Sequence, residues 1–103
     1  MSVRFSPKAN QRLDEIWTYT FDRWGESQAD AYLRGLFDFL GAAADRHYTW
    51  KRLSEGGFEG VYYLRYEHHF VFFRKLKENG IGVISILHER MHIPDRLKED
   101  TET

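Results

Sequence analysis

The spacing of apolar residues changes abruptly at Gly60, and this change most constrains how the 103-residue chain can fold. Before Gly60, apolar residues recur every three or four positions, which is typical of amphipathic helices. After it, short segments are rich in Val, Ile, Tyr and Phe, which is typical of strands. Helices and strands with one apolar face each must cover one another. The sequence therefore predicts an α+β fold.

Two helices are predicted before Gly60. Ser6 and Pro7 supply an N-cap and a first-position proline, and Gly25 is suited to end the first helix. Its apolar stripe, in which Thr20 is the polar exception, comprises Ala9, Leu13, Ile16, Trp17, Phe21 and Trp24. A capping box at Ser27–Asp30 would begin the second helix, whose stripe comprises Ala29, Tyr32, Leu33, Leu36, Phe37, Leu40 and Ala43. The short connection predicts an αα-hairpin, with both tryptophans in the core.

Four strands are predicted around this hairpin, at residues 2–6, 61–66, 69–74 and 81–88. Glu67-His68 leaves room only for a tight turn, and Asn79-Gly80 suits a type I′ turn with two positive φ angles. Residues 45–59 lose periodicity and are expected to be irregular. The predicted order is β-α-α-β-β-β, an antiparallel β-sheet with the N-terminal αα-hairpin packed on one face. The other face would be partly open and is a natural place for function.

The C-terminal end is expected to contribute little structure. Asp95 can cap a short helical turn that runs through Leu97. The polar tail 98–103 is predicted to fray. Residues 1–103 have the length of one domain, and we expect a single one.

Composition excludes several classes of function. The chain has 15 basic and 16 acidic residues, a net charge of −1, so direct nucleic-acid binding is not expected. Its lack of cysteine excludes disulfides, thiolate metal sites and thiol catalysis. No apolar run approaches the roughly 20 residues that cross a bilayer, and no signal sequence is recognisable. We expect a cytoplasmic protein without a membrane partner.

Basic side chains gather around the predicted sheet and could carry chemistry: Arg65, His68, His69, Arg74, His88, Arg90 and His92. If the last strand stays extended beyond Leu87, His88, Arg90 and His92 share the face of Ile84 and Ile86. Such a set could bind an anion, act as general acid and base, or bind a metal. Each residue also has a structural alternative, such as a satisfied strand-end histidine or an arginine in an ion pair. His68-His69 lacks a carboxylate at ligand spacing, so no metal or cofactor is expected.

Several short motifs occur in a characteristic order along residues 3–97. They are Ser6-Pro7-x-Ala9, Leu13-x-Glu15-Ile16-Trp17-x-Tyr19, Arg23-Trp24-Gly25-x-x-Gln28-Ala29-x-x-Tyr32, Leu64-Arg65, His69-Phe70-Val71-Phe72-Phe73-Arg74, and Ile84-x-Ile86-Leu87-His88-x-Arg90-Met91. In these motifs the chain resembles the ParE branch of the RelE/ParE toxin superfamily. The resemblance implies a helical hairpin packed on an antiparallel sheet, which periodicity predicts independently.

The resemblance also implies a function. ParE-type proteins are toxins of type II toxin–antitoxin modules, held inactive in a hetero-oligomer with a ParD-like antitoxin. The implied target is DNA gyrase, or its relative topoisomerase IV, which is inhibited or poisoned by binding and not by catalysis. Residues 47–52 and 66–68 depart from the family's usual Pro, Gly-Arg and basic Gly-containing segments. Both departures could affect the choice of target.

Two sets of candidate binding residues follow. The candidates for target binding are Arg65, Arg74, His88, Arg90 and His92, with the segment 90–97 as the gyrase-facing surface. The candidates for antitoxin binding are Arg12, Glu15, Tyr19 and Arg23, which we expect to be exposed on the first helix. They would flank a groove that receives an amphipathic helix, although an antitoxin strand could instead add to the sheet edge.

Two alternatives remain open. The chain could be a RelE-type, ribosome-dependent mRNA endoribonuclease that uses His88, Arg90 and His92. That chemistry often employs a tyrosine near the C-terminus, whereas no tyrosine follows Tyr66 here. A net charge of −1 is also poor for docking onto ribosomal RNA. The second alternative is a non-toxic adaptor homologue.

Overall fold

The computed structural model describes residues 2–54 and 56–102 and confirms the predicted α+β fold. Its elements are β1 (Val3–Phe5), α1 (Pro7–Trp24), α2 (Glu26–Ala44), a 3₁₀ turn (His47–Thr49), β2 (Lys51–Arg52), β3 (Tyr62–Tyr66), β4 (His69–Lys75), β5 (Ile81–His88) and α3 (Ile93–Thr101). The 3₁₀ turn and β2 lie in the segment 45–59, which was expected to be irregular. Among the described residues, no helix is long and apolar enough to cross a membrane.

The helical hairpin begins as predicted but turns differently. The Ser6 hydroxyl accepts the backbone N–H of Ala9 at 3.1 Å, and Pro7 is the first helical residue. Gly25 alone separates the two helices, with a φ of 89° that favours glycine. The capping box at Ser27–Asp30 is wrong, because α2 already begins at Glu26. Asp30 instead accepts the indole N–H of Trp17 at 2.9 Å and joins the two helices.

The sheet has the strand order β1-β5-β4-β3-β2 and is mixed. β3, β4 and β5 form the predicted antiparallel meander, with positive φ angles at Asn79 and Gly80. β1 pairs in parallel with β5, so the prediction of a wholly antiparallel sheet is wrong in this strand. Parallel pairing needs a long connection, which residues 6–80 provide.

Apolar side chains cover both faces of the sheet. The hairpin packs Leu36 and Leu40 against Val71 and Phe73 on one face. On the other face, Leu97 of α3 packs with a second cluster that contains Val61, Phe72 and Leu87. This second face, which was expected to be partly open, is covered by α3 at that cluster.

The C-terminal segment is a helix and not the expected short turn with a frayed tail. α3 runs from Ile93 to Thr101, and both Leu97 and Asp100 on it are buried. The predicted fraying is therefore wrong for residues 98–101, while residue 103 lies outside the described residues. Asp100 orders this polar segment through side-chain bonds to Arg12 and Ser85.

A β-bulge in β5 changes which side chains share a face. Phe72 pairs with Ser85 but Phe73 pairs with Val83, so Ile84 is an extra residue. Ile84 consequently packs on the α3 side, whereas Ile86 packs under the helical hairpin. The predicted common face of Ile84 and Ile86 is wrong. β5 also ends at His88 instead of remaining extended to His92.

Gly35 makes room for Tyr66 beneath α2, which gives a stability prediction. A Cβ at Gly35 would meet the Tyr66 hydroxyl, whereas a Cβ at Gly41 of the same helix would meet nothing within 4 Å. We expect Gly35→Ala to lower the free energy of unfolding by about 1–3 kcal/mol through overpacking. Gly41→Ala should be neutral or stabilising by up to about 1 kcal/mol. Urea denaturation measures both changes.

The Tyr66→Phe background isolates the cause. Removing the hydroxyl leaves the Tyr66 Cζ position 3.4 Å from the new Cβ, which is ordinary contact. Gly35→Ala should therefore cost much less in Tyr66→Phe than in the wild type. An equal cost in the two backgrounds would contradict this explanation.

Candidate functional site

A cleft of about 990 Å³ lies between the helical hairpin and the end of the sheet. Its lining includes Glu15, Tyr19 and Trp24 of α1, Tyr32 of α2, His69 and His88 of the sheet, and Arg90 of the following turn. The lining thus combines exposed aromatic rings with imidazole and guanidinium groups. Aromatic and arginine side chains are enriched where proteins bind one another.

Tyr32, His69 and His88 form a polar cluster inside the cleft. The Tyr32 hydroxyl and the His69 Nδ1 are 2.7 Å apart. The His69 and His88 rings meet edge to face, with centroids 5.1 Å apart. Burial raises the pKa of Tyr32 to about 12. Burial, helped by the neighbouring histidines, lowers the pKa of His69 to about 4, so both groups are neutral near pH 7.

The low pKa of His69 makes stability depend on pH. Its folded-state pKa is about 4, below the ordinary 6.5, so the unfolded chain binds the proton more readily. The stabilisation is complete above pH 6.5 and is lost as the pH falls from about 6.5 to 4. We expect a loss of about 1–2 kcal/mol in the free energy of unfolding, discounted because the ring is only partly buried.

Urea denaturation at several pH values tests this expectation. His69→Gln should flatten the slope between pH 6.5 and 4, even if it lowers stability throughout. His92→Gln is a matched control, because the His92 side chain is 73% exposed and does not line the cleft. An unchanged slope in His69→Gln would assign the pH dependence to other groups.

Ion pairs fix the turn that precedes Arg90. Glu89 accepts from the guanidinium of Arg65, and its other oxygen lies 2.9 Å from the His68 Nδ1. The hydrogen bond with His68, together with the charge of Arg65, lowers the pKa of Glu89. The Glu89 backbone N–H also donates to the His68 carbonyl at 2.8 Å. These bonds tie the β3–β4 turn to the end of β5.

A buried ion pair joins α1 to α3 beside the cleft. Arg12 donates from Nε and Nη2 to the two oxygens of Asp100 at 2.9 and 3.1 Å. Ser85 of β5 donates to the same carboxylate at 2.6 Å. The Arg12 side chain is only 12% exposed, so the expectation that it is exposed is wrong. Asp100 raises the pKa of Arg12, chiefly through their hydrogen bonds.

The structure brings only some of the predicted site residues together. Arg12, Glu15, Tyr19, His88 and Arg90, taken from both candidate sets, line the one cleft. The guanidinium of Arg23 stands 4.6 Å from the centre of the Tyr19 ring.

The other candidates lie outside the cleft. Arg65 is engaged with Glu89 at its edge. Arg74 lies towards the opposite end of β4 from His69. His92 precedes α3 and pairs with Asp95 at 3.0 Å.

Sequence reasoning left Tyr32 and His69 out of both candidate binding sets and misplaced Trp24. His69 shares a strand face with Val71 and Phe73, and Tyr32 belongs to the apolar stripe of α2, so periodicity could have placed the two side chains between the hairpin and the sheet. Trp24 was predicted in the core but is 64% exposed and lines the cleft. Its partner in that prediction, Trp17, is half-buried and stacks on Phe21. Over residues 2–54 and 56–102, no group of three or more His, Asp or Glu side chains could hold a metal ion.

Known proteins resemble the chain over most of its length. The family model described as ParE toxin of type II toxin–antitoxin system, parDE, matches residues 3–93. Toxin ParE1 of Mycobacterium tuberculosis H37Rv is 37% identical over 99 residues, which cover 94% of this chain and all of that protein. Toxin ParE of Escherichia coli is 33% identical over 92 residues, 89% of this chain and 88% of that protein.

A solved structure shows the same fold. It is described as the chromosomal ParDE TA system from P. aeruginosa. The match covers 85% of this chain and 95% of that one, with a TM-score of 0.69 and 23% identity.

Proposed function

Because the chain belongs to the ParE toxin family of type II toxin–antitoxin systems, we propose that it inhibits DNA gyrase and that a ParD-like antitoxin neutralises it. The inhibition is by binding, takes place in the cytoplasm and needs no cofactor. The antitoxin forms a hetero-oligomer with the toxin. Topoisomerase IV, a relative of gyrase, is the other target of this kind.

One observation carries the proposal beyond family membership. Arg90, a candidate for target binding, lines the same cleft as Glu15 and Tyr19, candidates for antitoxin binding. An antitoxin segment that fills the cleft would cover Arg90. Neutralisation then follows from occlusion of the surface that gyrase needs.

The bonding inside the cleft favours binding over catalysis. Glu89 is held by Arg65 and His68, and His69 is hydrogen-bonded to Tyr32. These hydrogen bonds give Glu89 and His69 a structural role in the lining of the cleft. A general base instead needs to be free to form a hydrogen bond with its substrate. The exposed Tyr19 and Trp24 offer large rings of the kind that anchor protein interfaces.

An mRNA endoribonuclease is the second candidate. It is favoured by the close His69 and His88 rings beside Arg90, since two imidazoles and a cation suit acid–base cleavage of RNA. The net charge of −1 weakens this candidate, because ribosomal RNA attracts basic surfaces.

A supercoiling assay tests the proposal. Purified gyrase, relaxed plasmid and ATP are incubated with the antitoxin-free protein, and supercoiled and cleaved DNA are scored. We expect lost supercoiling or trapped cleavage, both reversed by the antitoxin. A parallel assay with ribosomes and mRNA tests the second candidate. Normal supercoiling with a folded protein, together with mRNA cleavage, would replace the gyrase proposal.

A further inference from the structure

Three histidines line the cleft, and two of them, His69 and His88, have the same ring nitrogen occupied. The Nδ1 of His88 accepts the backbone N–H of Arg90 at 3.0 Å, so in the neutral ring the proton is on Nε2. The Nδ1 of His69 lies 2.7 Å from the Tyr32 hydroxyl. A phenol is the stronger donor and an imidazole nitrogen the stronger acceptor, so Tyr32 donates and His69 also carries its proton on Nε2.

Both Nε2–H groups are therefore donors, and neither makes a hydrogen bond within the part of the chain that the structure describes. Their rings touch edge to face, so the two donors belong to one small region of the cleft. Arg90 lines the same cleft and makes no ion pair among residues 2–54 and 56–102. The two Nε2–H groups and the Arg90 guanidinium are all hydrogen-bond donors. They suit a ligand group that accepts hydrogen bonds and donates none.

We propose that His69 and His88 bind a carboxylate side chain of the antitoxin segment that fills the cleft, with Arg90 supplying the positive charge. This inference rests on the proposed function and specifies the chemistry of its partner. A carboxylate accepts several hydrogen bonds and donates none, which matches the two Nε2–H groups and a guanidinium.

The charges around the cleft support this choice. Of the carboxylates in the lining, Glu15 is paired with Arg12 and Glu89 with Arg65 and His68. Glu67, on the exposed turn, is the other acidic residue of the lining. The aromatic rings of Tyr19 and Trp24 extend the same cleft, so an acidic residue with apolar neighbours fits it better than a free small anion.

The tautomers can be measured without the antitoxin. Nitrogen-15 spectra of the histidine rings in the free protein at pH 7.5 distinguish Nδ1–H from Nε2–H. We expect both His69 and His88 to be Nε2–H, with His69 losing this preference in Tyr32→Phe. An Nδ1–H tautomer at either histidine would overturn the proposed donor pair.

Antitoxin binding tests the ligand. Glutamine places its amide nitrogen close to the Nε2 position of histidine, and alanine offers no donor. We expect His88→Ala to weaken binding of the ParD-like antitoxin about tenfold and His88→Gln to weaken it much less. One Asp→Asn or Glu→Gln change in the antitoxin should weaken binding to the wild type but not to His88→Ala.

The outcomes separate this inference from the proposed function. Tight binding that is unchanged in a folded His88→Ala protein, or equally weak in His88→Gln and His88→Ala, would overturn the carboxylate site and leave the toxin–antitoxin proposal standing. The carboxylate site would also be overturned if every Asp→Asn or Glu→Gln change in the antitoxin weakened binding equally in the wild type and in His88→Ala. A wild-type protein that does not bind the antitoxin would overturn the proposed function and, with it, the source of the carboxylate.

Discussion

Replacing Arg12 by alanine is expected to lower the free energy of unfolding by about 3–5 kcal/mol. The change removes both hydrogen bonds to Asp100, whose side chain is only 1% exposed. The buried carboxylate would keep Ser85 as its one described side-chain partner. A small domain is stable by about 5–15 kcal/mol in total, so urea denaturation should show a large drop in the midpoint.

Two variants separate the buried pair from the surface pair on the same arginine. Glu15 also bonds Arg12, but its side chain is 49% exposed, so Glu15→Gln should change stability by less than about 1 kcal/mol. Arg12→Met combined with Asp100→Leu removes both charges and should recover much of the loss. If Arg12→Ala lowered the free energy of unfolding no more than Glu15→Gln, the Arg12–Asp100 ion pair would not be what holds α3 in place.

The role of Arg12 also changes how antitoxin variants should be read. A protein without Arg12 is expected to unfold at a lower urea concentration than the wild type. Weak antitoxin binding by such a protein would therefore say little about the interface. Glu15 and Tyr19 are the better probes, since their side chains are exposed on α1.

The predictions that hold depend on signals within a few residues. The Ser6 cap and the positive φ angles of Asn79 and Gly80 are local backbone requirements, and the structure confirms both. The predicted type I′ turn is wrong, because a five-residue connection separates Lys75 of β4 from Ile81 of β5. The alternation in β3 and β4 places Val71 and Phe73 under the hairpin because each side chain follows the pleat. Fold class follows from such signals without knowledge of distant contacts.

The predictions that fail depend on single-residue shifts or on distant partners. The bulge at Ile84 adds one residue to β5 and moves its neighbours to other faces, a change that periodicity alone does not reveal. Asp100 looks like part of a solvated tail until its partner Arg12, 88 residues earlier, is beside it. Trp24 fits a helical stripe, but its side chain is 64% exposed and lines the cleft.

In the candidate site too, local motifs were predictive, whereas contacts between distant residues were not foreseen. The sequence indicated His88 and Arg90 through their motif, and both line the cleft. It did not show that Arg65 is engaged by Glu89, because that pairing depends on how the β3–β4 turn meets the end of β5. Tyr32 and His69 come together from α2 and β4, 37 residues apart.

Deleting the chain after Leu87 would test the C-terminal surface poorly. The deletion removes Leu97 from the second core cluster and takes Asp100 away from Arg12. Lost toxicity would then reflect lost folding. A single exposed side chain in the cleft is the sharper probe.

Arg90→Ala is expected to abolish toxicity and to weaken gyrase inhibition at least about thirtyfold, the loss typical of an arginine hot spot. Arg90 is exposed, so the free energy of unfolding should change by less than about 0.5 kcal/mol. Growth after induction and the supercoiling assay measure the effect, and circular dichroism verifies the fold. Arg96→Ala tests the rest of the predicted 90–97 surface, because Arg96 is also exposed but pairs with Glu99 on α3, away from the cleft.

The pair of variants decides where gyrase binds. Loss of inhibition in Arg90→Ala alone assigns the target surface to the cleft and supports neutralisation by occlusion. Equal loss in both variants would extend the target surface from the cleft along the segment 90–97, since Arg90 and Arg96 both lie in it. Full toxicity of a folded Arg90→Ala protein would exclude Arg90 from the target surface, and an antitoxin that fills the cleft would then have to act in another way.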